Sequence, residues 1–289
     1  YLYLPVIPDL GILRDHAPRF RGFYRVLALG WQGTERERRR LERIITFMAI
    51  LIIPVAVSVH TVVSWVFAMT IQPMWHSTIF GPYFVMGAIF SGIAALLIAM
   101  FVIRKAYHLK AYLRDVHFNN LGLMLLVMSC FWLYFTFAEF LTAFYGGAPE
   151  HMKVFWDKVT GNFSVHFWTM FTACFIIPFT ILCCRKGRSP GGTLAASVSV
   201  VIGMWLERFV IVVPTLLHPR LPYEHASYHA SWVEWSITAG CFSFFILLYM
   251  CFTKFFPIVS IWEVQEGREL AVREAVDRVK TYFPGEVKE

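Results

Sequence analysis

The sequence predicts an all-α, polytopic transmembrane helical bundle, and three observations carry that expectation. Of 289 residues, 57% are hydrophobic and only 16% charged, well short of what a soluble surface needs. Six stretches reach the roughly 20 mostly apolar residues that cross a ~30 Å hydrocarbon core. The runs are continuous rather than alternating, so backbone groups in lipid are satisfied within helices and not between barrel strands.

In order, the predicted spans are A (44–69), B (80–103), C (118–145), D (163–184), E (193–217) and F (232–256). Ahead of them, "YLYLPVIPDLGIL" opens on Tyr1 rather than Met and is too short to cross. It reads as the end of an upstream helix, since the basic leader and cleavage site of a signal peptide are missing. Three regions follow from this reading: a helix end plus basic cytoplasmic connection at 1–43, a six-helix transmembrane domain at 44–257, and a tail at 258–289. In the tail, Val272, Ala275, Val276, Val279 and Phe283 recur at helical spacing between charges, which predicts an amphipathic helix on the cytoplasmic surface.

Basic residues set the orientation. Nine precede A (Arg14, Arg19, Arg21, Arg25, Arg36, Arg38, Arg39, Arg40, Arg43), four join B to C, and three join D to E. The alternate loops carry none, two (Lys153, Lys158) and one (Arg220). By the positive-inside rule the basic loops are cytoplasmic. Topology and anionic headgroups therefore account for the net charge of +7, and no nucleic-acid motif accompanies it.

All six cysteines fall in or at the ends of spans with no CxxC or ferredoxin-like spacing, so no iron–sulfur cluster is expected in this chain. Membrane haem needs His pairs at matching depth on facing helices. His60 is well inside a span, whereas His117 and His166 lie near opposite ends of theirs and His76 is in a loop, so haem is not expected either. Trp75, Tyr83, Tyr145 and Trp168, near span ends, read as interface anchors.

Ionisable groups inside spans are costly in lipid and are therefore the informative minority. They are His60 in A, Glu139 in C, and the adjacent Glu207 and Arg208 in E. At ~1.5 Å per residue from the outer ends, His60 and Glu207 lie about 15 Å deep and Glu139 about 10 Å deep. Neighbours on a helix point about 100° apart, which suggests Arg208 reaching Glu139 and Glu207 lying near His60. Two uses fit such a set: a polar clamp that fixes packing, or a chain of groups that passes protons. Towards the cytoplasm, His117, Asn119 and Asn120 begin C. Asp9, after Pro8, reads either as a helix-end cap or as an inner counterpart of the outer cluster.

Taken in order, "YLYLPVIPDLGILRD", "HTVVSWVFAM", "PMWHSTIFGPYFVMGAIFSG", "HFNNLGLMLL", "FAEFLTAFYG", "GMWLERFVIVVPTLLHP" and "FFPIVSIWEV" resemble the NrfD/polysulfide-reductase membrane-subunit family. They are most similar to its ActC-type members in alternative complex III, and the likeness runs to about Glu266. The resemblance implies a bacterial inner-membrane, multi-pass subunit without its own redox centre, which oxidises quinol and passes electrons to a peripheral iron–sulfur subunit. It implies further partners, c-type cytochrome subunits and a paralogous NrfD-like membrane subunit, in an enzyme complex of a respiratory or photosynthetic chain. It also implies two four-helix bundles, of which this chain would hold the second with flanking helices, while the quinone pocket would lie largely upstream of Tyr1. Asp9, His60, Glu139, Glu207 and Arg208 match family positions regarded as candidates for proton transfer or quinone-site electrostatics. One departure is Val66, where many relatives carry Asp. Two other readings remain open at this point: a non-redox ActF-like paralogue of the same complex, and a secondary ion transporter, for which Pro54, Pro178 and Pro214 give weak hints.

Overall fold

The computed structural model describes residues 1–16, 20–218, 228–265, 267, 268 and 272. Every regular element among them is helical. Most of the expected amphipathic tail, including Ala275, Val276, Val279 and Phe283, lies outside the described residues, as does Arg220. The chain divides into two compact units, Tyr1–Val55 with Ala230–Glu289, and Ala56–His229.

The first unit contains α1 (Val6–His16), α2 (Arg21–Leu27), the start of α3 (Glu35–Ala68) and α10 (Trp232–Phe255). Helix α3 begins inside the basic segment rather than at the apolar run. A reciprocal cap explains this start: Glu37 N–H donates to Thr34 Oγ1 (3.4 Å) while Thr34 N–H donates to Glu37 Oε2 (3.2 Å). One-turn ion pairs, Arg38 to Glu42 (3.3 Å) and Arg39 to Glu35 (3.9 Å), then carry the helix through its charged turns. Helix α10 opens on a similar box between Ser231 and Glu234. A small core of Leu10, Tyr24 and Ala28 holds α1 to α2, and the Tyr24 hydroxyl donates to the Phe255 carbonyl at 3.0 Å.

The second unit holds the rest of α3, α4 (Phe80–Ala106), α5 (Asp115–Gly146), α6 (Pro149–Val159), α7 (Ser164–Phe171), α8 (Ile177–Cys183) and α9 (Pro190–Leu216). Predicted span D is α7 and α8 joined by a π-helical turn, Thr172–Ile176. Four spans make the bundle: α4 lies against both α5 and α9, and the α7–α8 rod packs on α5 and α9 as well. Phe90 and Leu97 of α4, Phe118, Leu125 and Trp132 of α5, and Val200 of α9 are fully buried in its core.

Among the described residues, six helices are long and apolar enough to cross a membrane. In the apolar windows of α3 and α10 nothing is buried, against 39% of that of α9. Faces so apolar and so exposed are stable in lipid and costly in water, about 25 cal/mol per Å². The protein is a multi-pass membrane protein.

The π turn has a local cause. Pro178 has no N–H to offer, so Cys174, four residues earlier, loses its helical donor. Ile177 N–H reaches back to the Thr172 carbonyl, which also strips Ala173 of its usual partner. Neighbouring hydroxyls replace both: Ser129 Oγ of α5 donates to the Cys174 carbonyl (2.8 Å) and Ser199 Oγ of α9 to that of Ala173 (2.9 Å). Gly203 lets α9 approach the turn, since a Cβ there would sit 2.5 Å from Cys174 Sγ. Chain irregularity is thus turned into cross-helix bonding at the middle of the bundle.

Candidate functional site

Two of the predicted polar residues converge at one end of the second unit, the end that the basic loops predict to face outward. Glu139 of α5 and Glu207 of α9 line one small cavity together with Tyr83 of α4 and Lys158 of α6. The cavity measures about 20 Å³, room for one water but not for an aromatic ring system. Met74, Trp75, Phe80, Phe140, Met170, Val210 and Ile211 supply its apolar walls. Four polar groups around one water-sized space meet the two to four partners a buried water requires.

Each carboxylate has a dedicated donor. Trp132 Nε1, about one turn from Ser129 on the buried face of α5, donates to Glu207 Oε1 at 2.5 Å. Glu207 is 1% exposed, so this bond is made away from solvent, where charge-assisted donation is strongest. Its second oxygen, Oε2, lies 3.4 Å from Arg208 Nη2. Ser77 Oγ, in the loop before α4, donates to Glu139 Oε2. That loop is pinned to α9 by Trp75, whose Nε1 donates to the Ile211 carbonyl at 3.1 Å. Tyr83, buried, faces Glu207, Thr136 and Arg208.

Lys158 completes the set. Helix α6 follows the end of α5 and turns two residues inward, Val154 and Lys158, one helical turn apart. Burial pushes the Lys158 ammonium down to about 8, against the opposing pull of Glu139 and then Asp157. Asp157 itself accepts from Asn162 N–H (3.0 Å) and lies 3.7 Å from His218 Nε2.

The structure revises several pairings that the sequence suggests. Arg208 reaches Glu207, its own neighbour, rather than Glu139. Backbone directions do diverge at adjacent positions, but the long guanidinium side chain curls back and lies over the Phe84 ring at 4.2 Å. Gly87 of α4 makes room for it, since a Cβ there would meet Nη2 at 2.8 Å. His60 sits on an exposed face of α3, where its Nδ1 lies 2.8 Å from the Ala56 carbonyl of its own helix. It does not line the cavity. Trp75 and Tyr83 are buried, not interfacial, whereas Tyr145 (91% exposed) and Trp168 (51%) are placed as anchors would be.

Asp9 belongs to the first unit and acts there as a cap. Its Oδ1 accepts from Ile261 N–H (3.0 Å) and Trp262 N–H (2.9 Å), the first amides of a helical segment at 261–265. Trp262 Nε1 donates to the Pro5 carbonyl at 2.9 Å. The "PD" and "SIWEV" stretches, far apart in the sequence, are therefore one hydrogen-bonded device.

Comparison with known proteins fits a helical membrane subunit. The family described as "Polysulphide reductase, NrfD" matches residues 1–219. The chain belongs to the NrfD family. A curated relative, a selenate reductase subunit of Mesobacillus selenatarsenatis, is 25% identical over 255 residues, which cover 82% of this NrfD chain and 59% of the relative. The chain thus spans about three-fifths of that relative's length. The family match contains Glu139, Lys158, Glu207 and Arg208, and ends just after α9.

Sequence reasoning finds the two carboxylates but places none of Ser77, Tyr83, Trp132 and Lys158 in the site: Tyr83 reads as an interface anchor and Lys158 as a loop charge. Ser77, Tyr83 and Trp132 are uncharged and lie in aromatic or loop contexts that mark no site. Lys158 has a signal: in "HMKVFWDKV" it falls one turn after Val154 on the apolar stripe of a short amphipathic helix.

Proposed function

We propose that this chain is a quinol-oxidising membrane subunit of an oxidoreductase complex, and that Glu139 and Glu207 form its outer proton path. The observation that carries this reading is the buried, water-sized cavity shared by two carboxylates on different helices. Quinol oxidation yields two electrons and two protons, and the protons need a positioned acceptor and an exit. Glu139 and Glu207 share a space the size of one water, through which a relay would run, and the Ser77 and Trp132 donors hold them in place.

Membership of the family supports a redox complex, and a relative named as a selenate reductase subunit supports a place in a multi-subunit reductase. On this reading the electron acceptor is a peripheral iron–sulfur subunit, with c-type cytochromes and a paralogous membrane subunit beyond it, as in alternative complex III. The membrane is the bacterial inner membrane. The cavity is too small for a quinone ring, so the quinone head group is assigned elsewhere, and these residues handle protons only. Arg208, tied to Glu207 and Phe84, holds the carboxylate in register. His60 is assigned no step.

Substitution of Glu139 and Glu207 by Gln in the purified complex tests the reading. Quinol oxidation and proton release should both slow by about tenfold or more, somewhat below the usual range for loss of a positioned proton acceptor. Unchanged rates would leave the cluster as a packing clamp.

A further inference from the structure

We infer that Lys158 is a positioning residue for Glu139: its inward-facing ammonium sets the ionisation of that carboxylate and thereby the pH range over which the outer cavity passes protons. The inference rests on the proton-path reading of the cavity and adds a member to it.

The geometry is unusual for a lysine on a surface helix. A four-carbon side chain ordinarily extends its ammonium towards water. Lys158 does the opposite, 4% exposed, while Lys153 and Trp156 of the same helix are not buried. A buried cation is tolerated when an anion faces it. Helix α6 packs on α5, α7 and α9. At this end of the unit those elements and α4 carry Tyr83, Glu139, His166, Glu207 and, just past α9, His218, and α6 itself carries Asp157. Asp157 is shared with Asn162 N–H and His218, and Glu207 with Trp132 and Arg208. Glu139, whose other partner is the neutral Ser77 hydroxyl, is the inward carboxylate, and its pull on the ammonium exceeds that of Asp157.

The consequence is electrostatic coupling between two groups that are 4% and 7% exposed, where little water screens them. While Lys158 is protonated, its positive charge favours the ionised, proton-accepting form of Glu139. Because burial brings the ammonium to about 8, its charge is lost within reach of ordinary working pH, unlike that of an exposed lysine. The charge state of α6 then feeds back on α5.

Infrared difference spectra of the purified whole complex, recorded as a function of pH, test this without any need for turnover. The protonated-carboxyl band of Glu139 is assigned by its loss in Glu139→Gln. In Lys158→Met the midpoint of that band should move up by about one pH unit or more, tenfold in proton affinity. Lys158→Arg, which keeps the charge, should restore the wild-type midpoint. Lys158→Gln replaces Lys158→Met if the latter fails to assemble. A midpoint unmoved in the neutral variant, or an Arg variant that behaves like it, overturns the inference. Should Glu139→Gln oxidise quinol at the wild-type rate while the band still responds to Lys158, the coupling stands and the proton-path reading falls.

Discussion

Trp132 Nε1 donates to Glu207 Oε1 across 2.5 Å, joining α5 to α9 at a point where neither side chain meets solvent. An indole N–H is a donor only, and a buried carboxylate oxygen needs one, so the two satisfy each other and leave little to exchange. The bond also explains why a large aromatic occupies a fully buried layer of the bundle. Trp132→Phe keeps an aromatic ring but strips Glu207 of its donor. The expected loss is about 1–3 kcal/mol, the cost of leaving a buried polar group unsatisfied, seen as a lower melting temperature of the complex. Trp132→Phe that melts with the wild type would mean that Glu207 is held by other groups.

Gly87 lies beneath the Arg208 guanidinium, with Met204 also close. Gly87→Ala forces Nη2 off its 2.8 Å approach, whereas Gly92→Ala on the same helix meets nothing within 4 Å. The first substitution should lower assembly and activity together; the second should be silent or mildly stabilising, by up to about 1 kcal/mol as Ala replaces Gly in a helix. Thermal melts of the two variants side by side give the comparison, and equal effects would contradict the packing account.

The titration of Lys158 has a definite sign. A base whose folded affinity for protons is depressed binds fewer protons in the native state than in the unfolded state between about 8 and its usual 10.5. Its contribution to stability therefore rises as pH rises through that window, by up to about 3 kcal/mol from a shift of this size. Lys158→Met removes the dependence. Melting temperatures of the wild-type and variant complexes, compared from about one unit below that window to its upper edge, should converge or cross on the alkaline side. Parallel curves would show that the ammonium is not buried in the assembled protein.

Asp9→Ala removes the acceptor for Ile261 and Trp262 N–H and should cost about 1–2 kcal/mol, as loss of a helix cap does. Asp9→Asn keeps an acceptor oxygen and should cost less. Burial raises the Asp9 carboxyl from its usual value, against the lowering effect of the two amides and Ser260, and the Asn variant mimics its neutral form. Limited proteolysis near Ile261 reads the effect. Equal protection in all three proteins would show that the cap is dispensable.

The six spans and both carboxylates of the cavity are legible in the sequence because lipid makes each signal blunt: an apolar run of sufficient length, or a charge where none is cheap. Pairing is not legible, for reasons visible at particular residues. Helical geometry points Arg208 across to Glu139, yet its length and the space at Gly87 let it fold back on Glu207. Depth alone sets His60 beside Glu207, and depth says nothing about which way a helix face turns. Lys158 reads as one more loop charge because basic residues between spans are counted towards topology, although its place on the apolar stripe of an 11-residue helix marks it as inward. The link between Asp9 and Trp262 spans the sequence and is carried by backbone amides, which no residue pattern announces.

The central claim, that Glu139 and Glu207 carry protons from quinol, is tested most directly by steady-state quinol oxidation with simultaneous proton release in the intact complex. Glu139→Gln, Glu207→Gln and the double variant are compared. A relay predicts that each single variant loses about tenfold or more and that the double is little slower than the worse single, because groups that act as a unit do not add. Three variants that turn over and release protons at the wild-type rate would contradict it.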